Sequence, residues 1–377
     1  MNGAARPTPG ELVAGPELTV IVPTYKEVKN VAEVVERLRQ CLLGISWEVM
    51  FVDDDSPDGT SDAVRELART DRRVRCLQRI ERRGLSSASI EGMLATASPY
   101  LAVMDGDMQH DERLLPQMLQ ALRSSDVDIV VGSRYIAGGT VGDFEAARIN
   151  ISRFAAKFSR IVVPANLTDP MSGYFMLRRE VFTAANHRLS AIGFKLLVDL
   201  FASSPRPLRF LELPYGFSRR RVGESKLDSA VVWDFGLLLI DKKIGRLVPA
   251  RFVAFIMVGL LGVVVHLLVL STLLNTVHIP FATGQAVATG IAMVLNFSVN
   301  NAVTYSDQRL RGWRWLRGLL SFVAVCGIGA LANVGIASYV FRWRAAWFPA
   351  ALAGILVSAV WNYVATSIFT WARPGRK

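Results

Sequence analysis

Tyr100-Leu-Ala-Val-Met-Asp105-Gly-Asp107-Met-Gln109 is an apolar run that ends in two acids one residue apart. A short, nearly continuous apolar segment bounded by polar turn residues reads as a strand buried on both faces. The same pattern recurs on either side of it. Leu18–Thr24, Trp47–Val52, Val74–Gln78 and Asp128–Val131 read as strands. Between them, Asn30–Leu43 carries helical spacing at Val31, Val34, Val35, Leu38 and Leu42. Ser61–Ala68 reads as a helix behind the cap Ser61, and Leu85–Ala97 and Glu112–Leu122 as two more. Strands alternating with helices predict an α/β domain with a mostly parallel sheet covered on both faces. In such sheets ligands bind at the carboxyl ends of the strands. The polar clusters fall there: Pro23-Thr-Tyr25-Lys-Glu27, Asp53-Asp54-Asp55, Asp105-Gly-Asp107 and Gly132-Ser-Arg134 each follow a strand.

The chain divides between two solvents. Its 51% hydrophobic content is high for a soluble enzyme of 377 residues, while 20% charged residues is high for a pure membrane protein. The apolar excess lies beyond about Ser229. Ala230–Ile240 carries Asp234, is too short to span and runs into Asp241-Lys-Lys-Ile-Gly-Arg246, so residues 229–250 are expected to hold an interfacial amphipathic helix. Four spans are expected at Phe252–Leu274, Phe281–Tyr305, Leu316–Phe341 and Trp347–Trp371, each near or above the ~20 residues that cross hydrocarbon. Lys242, Lys243, Arg246 and Arg251, the arginines between 309 and 317, and the basic tail fall on one side of that arrangement, whereas Arg342 and Arg344 fall on the other. The bias predicts an integral membrane protein with its catalytic domain and both termini cytoplasmic. Residues 1–17, rich in Gly, Pro and Ala, read as a disordered lead with no signal peptide.

The net charge of +11 belongs to arginine-rich stretches flanking apolar spans, not to a basic stripe interleaved with stacking aromatics, so nucleic acid is excluded as a partner. Three unpaired cysteines (Cys41, Cys76, Cys326) point to neither a disulfide framework nor a zinc site. Sequons at Asn150, Asn166 and Asn296 fall in expected cytosolic or intramembrane segments, which argues against glycosylation. The intramembrane polar residues, His266, Gln285, Asn296, Asn300, Asn301, Asn333 and Asn362 among them, read first as interhelical hydrogen bonds and second as the lining of a lipid or sugar path.

An isolated D-x-D triplet is usually solvated surface. At the end of a central apolar strand, Asp105 and Asp107 are suited to a hard divalent cation that also takes diphosphate oxygens, with Gln109 as a neutral third ligand. Over Leu18 to Leu227 the chain resembles inverting family-2 glycosyltransferases of the GT-A fold (nucleotide-diphospho-sugar transferase, Rossmann-like), and among them the polyprenol-phosphate (dolichol-phosphate) mannose synthases. The motifs are Val22-Pro23-Thr-Tyr25-Lys-Glu27, Val52-Asp53-Asp54-Asp55-Ser-Pro-Asp58-Gly-Thr60, Arg83-Gly84-Leu85, Met104-Asp105-Gly-Asp107-Met-Gln109-His110, Gly132-Ser-Arg134-Tyr135, Asp169-Pro-Met-Ser172-Gly173 and Gly223-Glu-Ser225-Lys226-Leu227. Ser86 departs from the glycine usual in that family, and a serine there is still able to cap the helix. The four spans resemble the small GtrA-like membrane family. The resemblance therefore implies a GT-A domain at 18–228 and an all-α, four-helix GtrA-like transmembrane domain at 251–372.

The resemblance also assigns roles. Pro23, Tyr25, Glu27, Asp54 and Arg83, together with Asp105, would form the nucleotide-sugar pocket. Asp105, Asp107 and Gln109 would hold Mg²⁺ or Mn²⁺ on the diphosphate. Arg134, Arg148 and Ser152 would bind the acceptor phosphate, Arg148 and Ser152 being one helical turn apart. Arg219 and Lys226, with Lys195, are expected to add charge near the phosphates, and Asp169 to orient donor or acceptor. Asp105, Asp107, Arg134 and Arg148 are the expected catalytic set. The implied reaction is transfer of mannose, with inversion, from GDP-mannose to a polyprenyl phosphate at the cytoplasmic membrane face. A UDP-sugar donor (UDP-glucose or a UDP-amino sugar) with the same acceptor is the nearest rival. A lipid-linked sugar translocase with a non-catalytic transferase domain is the rival from another class.

Overall fold

The computed structural model describes residues 15–80, 83–140, 163, 166–190, 195–217, 236, 238, 249–305, 308–344 and 347–371. The chain divides into two compact units, Met1–Lys243 and Ile244–Lys377.

The first unit is built on a seven-stranded sheet: β1 (Leu18–Thr24), β2 (Trp47–Asp53), β3 (Val74–Gln78), β4 (Tyr100–Val103), β5 (Ile129–Ser133), β6 (Phe175–Arg178) and β7 (Phe210–Pro214). Their spatial order is β3-β2-β1-β4-β6-β5-β7. Every residue of β1 and β2 is buried, which is the reason these strands are apolar without alternation. Successive side chains still serve opposite cores. Ile21, Met50 and Val52 belong to one, and Val20, Val22, Val49 and Phe51 to the other. Helix α1 (Val31–Cys41) buries Val31, Val34, Val35 and Leu38 on one face, the expected amphipathic stripe. Helix α3 (Leu85–Leu94) approaches the sheet so closely that a β-carbon on Gly92 would lie 2.7 Å from the Ile21 side chain.

The structure corrects several sequence-based details. Helix α2 runs Thr60–Thr70 and begins behind Gly59 (φ 87°), so Ser61 is not its cap; the Ser61 hydroxyl donates to Asp53 inside the first turn. Ser86 does not cap α3 either: Gly84 holds that position, and the buried Ser86 Oγ has no hydrogen-bond partner among the described residues. Helix α3 ends three residues early, and the helix expected from Glu112 opens as a tight 3₁₀ turn before α4 (Leu115–Ser124). The sheet is mixed where β6 inserts antiparallel between β4 and β5. Helices α5 (Arg179–Ala185) and α6 (Leu196–Ser203) follow β6.

The second unit contains α7 (Ala250–Thr272), α8 (Phe281–Val299), α9 (Trp313–Arg344) and α10 (Trp347–Phe369). Widened π-type turns extend α7 to Val277 and α8 to Thr304. Among the described residues three helical segments are long and apolar enough to cross a membrane, Arg251–Val277, Thr283–Thr304 and Trp313–Ala332, and Ile355–Phe369 is a shorter apolar segment of α10. The interfacial helix expected at 229–250 lies almost wholly outside the described residues.

Candidate active site at the switch point of the sheet

From β1 the chain winds outward through β2 to β3, then returns to place β4 on the other side of β1. The crevice between the carboxyl ends of β1 and β4 is the point where strand order reverses, and there the sheet opens for a ligand. Residues after β1 and β4 therefore face one another across it. Three non-glycine residues in left-handed backbone follow β1, β2 and β4 respectively: Lys26 (φ 61°), Asp55 (φ 55°) and Met108 (φ 64°). Each costs about 1–3 kcal/mol, a strain that collects at functional sites.

On the β1–β3 side, Tyr25 is half-buried and Arg83 lies 4.3 Å above its ring, a cation–π platform open to solvent. Pro23 is buried at the end of β1. Glu27 accepts from Asn30 Nδ2 at 2.6 Å, and its backbone N–H donates to Thr60. Asp54 is 7% exposed: one oxygen accepts from Arg79 at 2.6 Å and the other from the Gly84 N–H at 2.7 Å. Burial raises its carboxyl pKa against the opposing pull of those partners. Asp54 thus shapes the 79–84 turn and so presents Arg83. Arg79, a residue the motif reading missed, is 2% exposed and also bonds Gly84 O and Ser87. Asp53 is wholly occupied, accepting from Ser56, Ser61 and Thr24.

Asp105 and Asp107 stand at the centre, each partly exposed. Asp107 accepts from the Gln109 N–H at 3.2 Å, which turns the loop back on itself. Asp105 Oδ2 lies 3.4 Å from His110 Nε2, whereas Asp105 Oδ1 is buried with no hydrogen-bond partner among the described residues. A buried carboxylate oxygen left bare is costly unless something positive meets it. A β-carbon on Gly173 would lie 3.0 Å from Asp105 Oδ2, so any larger residue there would press on that carboxylate. Among the described residues no three His, Cys, Asp or Glu side chains cluster as a metal cage. Two carboxylates and an amide fit a cation completed by phosphate oxygens, the habit of Mg²⁺ and its like.

Beyond β6, Arg134 leaves the end of β5 and is clamped by the fully buried Asp169. Arg134 Nε and Nη2 donate to the two carboxylate oxygens at 2.7 and 2.8 Å, and the backbone N–H adds a third bond at 3.2 Å. The arginine side chain keeps 13% exposure, and its pKa is raised, burial being outweighed by the Asp169 carboxylate. Glu212 of β7 accepts from Thr168 and from the Asp169 N–H, fixing the turn that carries the clamp. Lys195, at the start of α6, donates to Met171 O at 3.4 Å in the same 169–173 loop. Burial, then the neighbouring Arg134 charge, lower its pKa to about 8. Arg148, Ser152, Arg219 and Lys226 lie outside the described residues. The structure therefore brings together Tyr25, Arg83, the two loop acids and Arg134, and it assigns Asp54 and Asp169 to holding arginines.

Residues 19–184 match the model for glycosyl transferase family 2, and residues 254–371 match that for the GtrA/DPMS transmembrane domain. A dolichol-phosphate mannosyltransferase of Pyrococcus furiosus is 33% identical over 360 residues, covering 94% of this chain and 99% of that protein. One from Saccharomyces cerevisiae is 35% identical over 225 residues, covering 57% of this chain and 83% of that protein. An undecaprenyl-phosphate mannosyltransferase of Micrococcus luteus is 34% identical over 217 residues, covering 56% of this chain and 88% of that protein.

Proposed function

The chain belongs to the dolichol-phosphate mannosyltransferases, and from that membership we propose that it transfers mannose from GDP-mannose to a polyprenyl phosphate, giving polyprenyl-phosphate mannose and GDP. The observation that carries this reading is a sheet whose switch point sets Asp105 and Asp107 between a cation–π platform on one side and an aspartate-clamped arginine on the other.

Tyr25 and Arg83 offer a surface for a nucleoside, with Glu27 beside them. Asp105, Asp107 and Gln109 would hold the divalent cation, which supplies charge neutralisation to the departing diphosphate. Support for that fit comes from the bare Asp105 Oδ1. Arg134 is pre-aligned by Asp169, so its outer edge meets an acceptor phosphate without a further loss of side-chain freedom. Arg148 and Ser152 complete the acceptor subsite in this reading. A phosphate monoester with a second pKa near ~6 is a dianion at neutral pH, so it attacks without a general base. The protein's work is alignment and fixed positive charge. The membrane unit, read as four spans with cytoplasmic termini, keeps this chemistry at the surface where a lipid phosphate is presented.

The test is incubation of membranes containing the protein with labelled GDP-mannose or labelled UDP-glucose, with and without added polyprenyl phosphate and with EDTA. Label from GDP-mannose should become lipid-extractable only when the phosphorylated isoprenoid is present and the cation is free. Lipid label from UDP-glucose alone would replace the donor assignment, and chelator-insensitive transfer would remove the metal.

A further inference from the structure

His110 is 4% exposed and walled by Tyr174, Tyr215 and Phe217, with ring centroids 4.9, 5.6 and 5.6 Å away. Its Nε2 faces Asp105 Oδ2 at 3.4 Å and its Nδ1 faces the Tyr215 hydroxyl at 3.0 Å. An ionised carboxylate only accepts, so contact with Asp105 requires the proton on Nε2. In the tautomer with that proton on Nε2, Nδ1 is left as the acceptor for the Tyr215 O–H. We propose that Tyr215 and His110 are positioning residues for the cation: they hold Asp105 Oδ2 and so fix the carboxylate, whose Oδ1, without a hydrogen-bond partner among the described residues, would be left for the ion. This rests on the metal reading given above. Tyr215 is also tied to the acceptor side, since its backbone N–H donates to Ser133 O and the neighbouring Phe217 ring lies 5.5 Å from the Arg134 guanidinium carbon.

The test is Mn²⁺ affinity, read by electron paramagnetic resonance on the full-length protein in detergent with GDP present, alongside thermal unfolding. His110→Ala should weaken Mn²⁺ binding about 10–100-fold, the usual effect of losing such an outer partner. His110→Gln, whose amide still donates, should recover most of it. Tyr215→Phe should weaken binding in a protein that still unfolds cooperatively, its unfolding temperature lowered only by the loss of one buried hydrogen bond, and it decides the matter should His110→Ala fail to fold. A Tyr215→Phe protein that binds Mn²⁺ as the parent does overturns the relay. A parent protein that binds no Mn²⁺ overturns the metal reading itself.

A second inference rests on the membrane unit alone. Phe255-Ile-Met-Val258-Gly-Leu-Leu-Gly262 on α7 and Phe322-Val-Ala-Val325-Cys-Gly-Ile-Gly329 on α9 share Phe, Val and Gly at the same spacing. Asn296-Phe297 and Thr304-Tyr305 on the second helix correspond in spacing to Asn362-Tyr363 and Thr370-Trp371 on the fourth. The contacts correspond too. A β-carbon on Gly262 would overlap the Asn296 carboxamide, and one on Gly329 would overlap that of Asn362. Neither Asn296 Oδ1 nor Asn362 Oδ1 has a hydrogen-bond partner among the described residues. Each faces its glycine's α-carbon, where a weak C–H···O contact is common between helices. Across the seam, Phe255 meets Tyr363 at 5.8 Å and Phe322 meets Phe297 at 5.7 Å, while Tyr305 and Trp371 stack on each other at 4.0 Å. Among the described residues Phe255, Phe297, Tyr305, Phe322 and Trp371 form one buried aromatic cluster of the unit.

We infer that this unit is a duplicated helical hairpin, the two copies related by a pseudo-two-fold axis along the membrane normal. Two spans in the first copy then require two in the second. Single cysteines at His278, Arg344 and Gln308, in a background freed of the native cysteines, test the arrangement with a membrane-impermeant maleimide on sealed vesicles. Positions 278 and 344 should label from one face and 308 from the other, and labelling of 278 and 344 from opposite faces overturns the axis. Gly262→Leu and Gly329→Leu should each lower the unfolding temperature of the full-length protein. A silent member of that pair overturns the equivalence.

Discussion

Asp169→Asn isolates the clamp on Arg134. The change keeps the shape of the side chain but replaces one accepting oxygen with an NH₂ group that points at Arg134 Nη2, now 2.8 Å from Oδ1. One charge-assisted bond becomes a donor–donor clash, and the guanidinium loses its counter-charge. Removing one partner of a buried pair costs about 3–5 kcal/mol, because the other charge is left uncompensated. Here the orphan would be the arginine, which keeps 13% exposure against 0% for the aspartate, so water relieves part of the loss and the low end, about 3 kcal/mol, applies. In a domain of this size that lowers the unfolding temperature by about 6–12 °C. The assay is thermal unfolding of the full-length protein in detergent, for Asp169→Asn, Arg134→Met and the double variant. The double variant should regain most of the loss, since removing both charges avoids the penalty of leaving either one alone. An Asp169→Asn protein that unfolds within about 2 °C of the parent, or a double variant no better than the single, would refute the reasoning.

Asp107→Ala should abolish mannosyl transfer while circular dichroism and membrane insertion stay unchanged; retained turnover would move the metal elsewhere or favour a non-catalytic domain. Gly173→Ala should push the Asp105 carboxylate, whose Oδ2 the new methyl would meet at 3.0 Å, and so weaken Mn²⁺ binding with little change in GDP binding measured without metal. Lys195 gives a pH signature. Its folded-state pKa of about 8 lies below the ordinary value of 10.5, so between them the unfolded chain binds the extra proton and stability rises with pH. The slope of unfolding temperature against pH over that window should be flatter in Lys195→Met than in the parent; an unchanged slope would place the titration on another group.

The sequence by itself determined the division into two solvents, the α/β character of the first unit and the strand ends at which the site would form. It did so because burial on both faces imposes an unbroken apolar run, and because in such sheets ligands bind in the crevice at the carboxyl ends of the strands. It also held the duplicated hairpin, as letters whose meaning stayed hidden until Asn296 and Asn362 were seen seated on matching glycines. What only the tertiary structure decided were partnerships between residues far apart in the chain. The four-residue β6 carries too little periodic signal to reveal its antiparallel place between β4 and β5. β7 is partly exposed and ends in Pro214, so its pattern marks neither Glu212 nor the following Tyr215. Asp54 and Asp169 read as ligand-facing acids until the fold gave each an arginine, at 2.6 and 2.7 Å. A carboxylate at a strand end announces that something positive will come, and only the packing of distant segments decides whether it is a side chain or an ion.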